Sequence, residues 1–116
     1  MEATNLLENL PLDPSCEHFE DLVNRDGVRI ERIVSYGQSS PDEGWYDQDN
    51  HEWILVLHGE GELEFEDGER VKLLAGDSLM IPAHRKHKVV GTAPDTATVW
   101  LAIFWTPPQP PKTSKL

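Results

Sequence analysis

Hydrophobic and polar residues alternate with a period of two along much of this chain, which is the period of β-strands. Residues 62–66 read Glu-Leu-Glu-Phe-Glu, as expected for a strand with one face in solvent. Residues 53–57 and 99–105 are almost wholly apolar, which predicts strands that are covered on both faces. A shorter apolar run spans residues 79–81, and a further strand contains Val89 and Val90. The pattern therefore predicts an all-β domain with several short strands.

Turn residues separate these segments. Asp67-Gly68 is typical of a tight hairpin turn, because both residue types tolerate positive φ angles. Pro82 ends the apolar run before it, since proline has no N–H group for a β-ladder. The segment 37–44 is rich in serine, proline and acidic residues, which predicts a loop.

The segment 28–36 predicts an outer strand, but its pattern is weaker. It opposes three apolar residues to three charged ones: Val28, Ile30 and Val34 against Arg29, Glu31 and Arg32.

The N-terminal residues favour a short helix. Ser15 can accept hydrogen bonds from the first free N–H groups, and Phe19, Leu22 and Val23 are spaced to form one apolar face that ends at Gly27. The chain then divides into an N-terminal arm with this helix (1–27), a β domain (28–106) and a proline-rich tail (107–116). The tail is expected to be disordered, with a ligand for a proline-recognition domain as the alternative.

Composition excludes several function classes. A chain of 116 residues with 38% hydrophobic content forms one domain, and no apolar run is long enough to cross a bilayer. A net charge of -11 repels phosphate backbones, so a nucleic-acid partner is not expected. Residues 1–5 lack the features of a secretory signal, and the single Cys16 cannot form an internal disulfide. Both observations favour a cytoplasmic protein.

Two stretches resemble the two motifs of the cupin superfamily, a group of small β-barrels that often hold one metal ion. Glu52 and Gly59, with six residues between them, match the glutamate and glycine of the first motif. Gly76, Pro82 and His87 match the glycine, proline and histidine of the second. The resemblance implies an antiparallel cupin-type β-barrel (a double-stranded β-helix or jelly roll) that carries the short N-terminal helix. It also implies that Glu52 and His87 point into the barrel.

The departures from these motifs concern the metal. Metal-binding cupins have two more histidines in the first motif, where this chain has Tyr46 and Gln48 or, with a longer permitted gap, Trp45 and Asp47. His84 replaces a glycine of the second motif and could converge on the same point as His87. The implied pocket is lined by Tyr46, Gln48, Glu52, His84 and His87, and its candidate metal ligands are Glu52, His84 and His87. A carboxylate with imidazoles suits iron, manganese, nickel or zinc. These residues predict a small metalloprotein that binds or transforms a small polar molecule.

The missing histidines support a second hypothesis, a metal-free module that binds or senses a small molecule. Arg85 and Lys86 make the loop before His87 cationic, which suits a ligand with a carboxylate. Without a metal, Glu52 would raise the pKa of His87, and the pair could transfer protons. A third hypothesis is a structural role for the protein surface.

The strand that begins near Glu52 also has a second apolar face. Trp53, Leu55 and Leu57 lie on the side opposite to Glu52 and need a cover. Either the N-terminal segment or a second subunit could supply it, so a homodimer is a candidate assembly.

Overall fold

The computed structural model describes residues 1–41 and 43–108, and its regular structure consists of eight β-strands. They are β1 (His18–Arg25), β2 (Val28–Ser35), β3 (His51–His58), β4 (Glu60–Phe65), β5 (Arg70–Leu74), β6 (Ser78–Ile81), β7 (His87–Thr92) and β8 (Thr98–Trp105). The strands pair antiparallel in two sheets, with the orders β1-β2-β8-β3-β6 and β5-β4-β7. The prediction of an all-β antiparallel fold is confirmed.

The two sheets pack face to face as a β-sandwich around one apolar core. The core side chains come from both sheets: Ile54, Val56, Ile81 and Trp100 from the larger, and Leu63, Phe65 and Leu73 from the smaller. Strands β3 and β4 contribute every second residue, as their sequence pattern predicted. The Asp67-Gly68 hairpin is also confirmed, since β4 and β5 pair across it.

The sheets do not close into the predicted barrel, because a loop occupies one edge of β7. The backbone N–H of Ser40 donates to the carbonyl oxygen of Val89 at 2.8 Å. Farther along β7, Tyr46 and His87 exchange backbone hydrogen bonds at 2.8 and 3.2 Å. A loop in this position cannot continue the ladder to a further strand, so the described residues form an open sandwich.

The predicted N-terminal helix is wrong, because this segment forms strand β1. Asp26 and Gly27 have φ angles of 55° and 78° and connect β1 to β2. Positive φ at both central residues defines the tight hairpin turn for which Asp-Gly is a favoured dipeptide. The backbone of β1 therefore finds its hydrogen bonds on β2. Within residues 1–41 and 43–108 no helix forms, and hence none that could span a membrane.

Strand β2 lies between β1 and β8 and is buried on both faces, which corrects the prediction of an outer strand. Glu31 and Arg32 are each only 6% exposed. The face with Arg29, Glu31 and Ile33 points between the sheets. On the opposite face, Arg32 Nη1 donates to the backbone carbonyls of Leu6 and Glu8 at 3.2 and 3.1 Å. The N-terminal arm thus covers the side of β2 that lies away from the core.

Two further predictions concern surfaces and the tail. The outer face of the larger sheet carries partly exposed apolar side chains, among them Trp53, Leu55 and Leu57. A homodimer through this face stays a prediction. Residues 109–116, most of the proline-rich tail, lie outside the described residues.

Candidate functional site

A cavity of about 440 Å³ lies between the two sheets. Its apolar walls include Ile33, Ile54, Leu63, Ile81 and Val89. Four aromatic side chains, Phe19, Tyr46, Trp100 and Phe104, also line it. The polar lining consists of Glu17, Arg29, Glu31, Gln48, Glu52 and His87. A mostly apolar cavity of this size with a few grouped polar side chains is typical of a small-molecule site.

Backbone hydrogen bonds fix the loops that carry the polar residues. In addition to the pair between Tyr46 and His87, the N–H of His84 donates to the carbonyl of Gln48 at 2.8 Å. The N–H of Ala83 donates to His51 Nδ1 at 2.9 Å, on the far side of β3 from Glu52. Four hydrogen bonds therefore join residues 46–51 to residues 83–87. This arrangement brings Gln48, Glu52 and His87 together.

Glu52 and His87 form the buried centre of this cluster, with exposures of 6% and 5%. His87 Nε2 lies 3.5 Å from Glu52 Oε1, and Gln48 Nε2 donates to the same oxygen at 2.9 Å. The other ring nitrogen, His87 Nδ1, lies 2.8 Å from the carbonyl oxygen of Arg85. Both ring nitrogens thus face oxygen atoms, an arrangement that favours the charged imidazolium over what burial alone would allow. Tyr46 and Phe65 flank the ring with centroid distances of 5.7 and 6.0 Å.

This geometry determines the direction of the His87 pKa shift. Burial alone would lower the pKa, since it disfavours the charged imidazolium. The Glu52 carboxylate and the Arg85 carbonyl outweigh burial, and the pKa of His87 is raised. The sequence-based expectation that Glu52 would raise the pKa of His87 agrees with this direction.

The raised pKa makes stability depend on pH. A histidine whose folded-state pKa exceeds its ordinary value of 6.5 stabilises the protein fully below that pH. The contribution is lost as pH rises through the folded-state pKa. We therefore expect thermal melts between pH 5.5 and 9 to show a steeper fall in Tm for the unmodified protein than for His87→Gln. Parallel Tm profiles would show that the pKa of His87 is not raised on folding.

His84 is placed away from this cluster. Its φ angle of 63° turns the side chain outward, where Nδ1 lies 2.7 Å from Asp47 Oδ1 and Nε2 lies 3.4 Å from Asp49 Oδ1. The cavity lining includes Tyr46, Gln48, Glu52 and His87 but not His84. Four of the five residues expected to line a pocket are thus brought together.

The residues present do not fit a resident metal ion. Transition-metal centres in proteins ordinarily use three or more protein ligands. Of the three candidate ligands, Glu52 and His87 meet and His84 lies outside. No group of three His, Cys, Asp or Glu side chains in residues 1–41 and 43–108 is arranged to hold a metal. Moreover, the Glu52 oxygen that faces His87 already accepts a hydrogen bond from Gln48.

A second charged pair in the cavity was missed by the sequence reasoning. Arg29 Nη1 lies 2.6 Å from Glu31 Oε2, and the Arg29 guanidinium lies over the Phe104 ring, 4.1 Å from its centroid. The pKa of Glu31 is raised, chiefly by burial and in part by the charges of Asp21 and Glu52, although Arg29 opposes the shift. The alternation in β2 placed Arg29 and Glu31 on one face, but nothing in the pattern indicated that this face is covered.

Comparisons with known proteins agree with the fold and the motifs. The family model described as "Cupin domain" matches residues 32–104. A solved structure from Ralstonia eutropha JMP134, provisionally assigned as a mannose-6-phosphate isomerase, is 37% identical with a TM-score of 0.87. That alignment covers 92% of this chain and 100% of the other.

Two further solved structures carry cupin names. A Cupin 2 conserved barrel domain protein from Salinispora arenicola CNS-205 is 26% identical, with a TM-score of 0.65 and coverage of 90% of this chain and 88% of the other. A cupin superfamily protein from Desulfitobacterium hafniense DCB-2 is 21% identical, with a TM-score of 0.71 and 84% coverage of both chains. No curated protein matches the sequence. From its motifs, its two antiparallel sheets and the family match, this chain belongs to the cupin domain family.

Proposed function

We propose that the protein binds a small organic molecule in the cavity between its two sheets, without a resident metal ion. The observation that carries this proposal is the buried cluster of Glu52, His87 and Gln48 in the wall of a mostly apolar cavity of about 440 Å³. Burying a carboxylate and an imidazole is costly unless they are paired, and an apolar pair of similar volume would serve stability as well. Their position on the cavity wall supports a role in binding a ligand.

The chemistry open to this cluster is proton transfer. A paired carboxylate and imidazole can hold or move a proton at His87 Nε2, which is the chemistry of general acid–base catalysis. Binding is the part of this function that the geometry supports best. Proton transfer would additionally require a ligand atom within hydrogen-bond reach of His87 Nε2.

The provisional assignment of the Ralstonia relative suggests a sugar phosphate as a ligand to consider. The cavity is poorly suited to such a ligand, because the guanidinium of Arg29, which could bind a phosphate, is already paired with a carboxylate. Arg29 contacts Glu31 at 2.6 Å, and the cationic loop residues are engaged on the surface: Arg85 with Asp67 at 3.1 Å and Lys86 with Glu66 at 3.5 Å. These surface pairs make the loop cations less suited to an anion site than their sequence position suggested.

The test is a fragment titration of protein purified without a histidine tag and dialysed against a chelator. We expect less than one equivalent of transition metal before dialysis, and an unchanged Tm after it. Small neutral, acidic and basic fragments should include some that shift the backbone NMR resonances of Ile54, Leu63 and Val89, which line the cavity. Shifts that appear only after a metal is added would contradict the proposal.

A matched pair of variants controls this experiment. Val89→Phe puts a larger side chain at a residue that lines the cavity, whereas Val90→Phe makes the same change at the next residue, which does not. We expect the first variant to lose fragment binding and the second to keep it, with the Tm of each free variant measured to confirm folding. Equal binding by both variants would place the fragments outside the cavity.

A further inference from the structure

The charges that line the cavity are unbalanced. Three carboxylates, those of Glu17, Glu31 and Glu52, face one guanidinium and one imidazole. With all three carboxylates ionised, the total is negative whether or not His87 is protonated. Glu17 accepts a hydrogen bond from the Ser35 hydroxyl at 2.6 Å, and none of the described residues forms an ion pair with it. A positively charged ligand would therefore lower the electrostatic energy of the cavity, and an anion would raise it.

Two of these carboxylates also have hydrogen-bonding capacity left. Glu31 and Glu52 are each 6% exposed. Arg29 contacts Oε2 of Glu31, while Gln48 and His87 contact Oε1 of Glu52. The remaining oxygens, Glu31 Oε1 and Glu52 Oε2, have no hydrogen-bond partner among the described residues. Neither oxygen is fully buried, since Arg32 Nε is the one fully buried side-chain atom without a partner among the described residues, so both oxygens are reachable and can accept from a ligand N–H group.

The sheet register places the two glutamates on the same face of the larger sheet, one on each side of β8. Glu31 pairs with Ala102 on β8, and Glu52 pairs with Phe104 on the same strand. β8 therefore separates the two glutamates, which puts their Cα atoms roughly 10–12 Å apart. On the inner face of β8, Phe104 stands beside Glu52 and lines the cavity.

The aromatic lining is also suited to a cation. Tyr46, Trp100 and Phe104 present ring surfaces to the cavity, and Phe104 already holds the Arg29 guanidinium 4.1 Å from its ring centroid. Ring faces attract ammonium groups, most strongly where water is excluded. The combination of carboxylates with aromatic rings distinguishes this cavity from an anion site, in which unpaired cations or N–H groups would predominate.

We infer that the ligand of this cavity is a small organic ammonium ion, whose N–H groups bind Glu31 and Glu52 and whose apolar body packs on the aromatic lining. The inference rests on the proposed function, because it names the class of molecule that the same cavity takes. The raised pKa of Glu31 supports it, since burial and the nearby carboxylates disfavour further negative charge there.

Three probes that share one ring separate charge from shape: benzylammonium, benzyl alcohol and benzoate. Titration calorimetry at pH 7 should give a Kd for benzylammonium at least about tenfold lower than for benzyl alcohol, and no measurable binding of benzoate. Glu31→Gln and Glu52→Gln should each reduce this preference by about tenfold while benzyl alcohol binds as before. Glu66→Gln, at the surface pair with Lys86, should leave the preference unchanged.

The outcomes separate this inference from the proposed function. If benzyl alcohol or benzoate binds the cavity as tightly as benzylammonium, the charge preference is wrong and the cavity remains a binding site. If none of the three probes shifts the resonances of Ile54, Leu63 and Val89, the ammonium inference is overturned, and the wider fragment panel then decides whether the cavity binds anything. If Glu66→Gln reduces the preference as much as Glu31→Gln, the effect comes from net charge rather than from the cavity.

Discussion

Replacing Gly59 by alanine is expected to lower the free energy of unfolding by about 2–5 kcal/mol. Gly59 connects β3 to β4 with a φ of 84°, a conformation in which an L-residue is strained by about 1–2 kcal/mol. An added Cβ atom would also lie 2.8 Å from the Ala97 carbonyl oxygen and 2.8 Å from Thr98 Cα. Both contacts are to backbone, so relief requires movement of the chain before β8, at about 1–3 kcal/mol.

Gly68→Ala is the matched control for Gly59→Ala. Gly68 has a similar φ of 92°, but nothing lies within 4 Å of its added Cβ atom. Its cost should therefore be limited to the conformational strain of about 1–2 kcal/mol. Urea unfolding of the two variants measures the difference directly. Equal losses would mean that the contact of Gly59 with β8 is not as close as the structure shows.

The second large effect is expected at His87. His87→Ala leaves the Glu52 carboxylate buried without its cation, a change that typically costs about 3–5 kcal/mol. His84→Ala removes an exposed histidine from a surface pair with Asp47, for which the expected cost is about 0–1 kcal/mol. The two variants therefore compare the same substitution three residues apart, once at the cavity and once at the surface.

Urea unfolding at pH 7 gives the stability of both histidine variants, and the benzylammonium titration gives their binding. We expect His84→Ala to keep both properties close to those of the unmodified protein and His87→Ala to lose much of each. If the two histidines acted together as metal ligands, both substitutions should release metal and lower stability together. That result would contradict the placement of His84 outside the site.

The sequence predicts most of the strands because their burial follows their pattern. The buried residues of β3 and β4 occur at every second position, and so do those of β8 from Trp100 onward, where the face predicted to be covered is only partly buried. The Asp67-Gly68 turn was predicted from the dipeptide alone, and Asp26-Gly27 carried the same signal. That second signal was outweighed by the helical spacing of Phe19, Leu22 and Val23, so β1 was missed.

The candidate site was predictable only in part. Motif resemblance indicated Glu52 and His87, whose 3.5 Å contact joins strands of different sheets. The direction of the His84 side chain depends on one φ angle of 63°, which a motif does not reveal. Glu17, Arg29 and Glu31 belong to the site because the fold brings β2 and the segment before β1 over the cavity. No short-range pattern encodes that placement.

The central claim is that this cavity binds an organic molecule through Glu52 and its buried neighbours, without a metal. A crystal structure grown with the probe that gives the largest rise in Tm tests it most directly. The structure should show the probe between the two sheets, with a polar atom within hydrogen-bond distance of Glu31 or Glu52 and no metal ion at His87 Nε2. A metal ion bound by Glu52 and His87, or a probe bound outside the cavity, would contradict it.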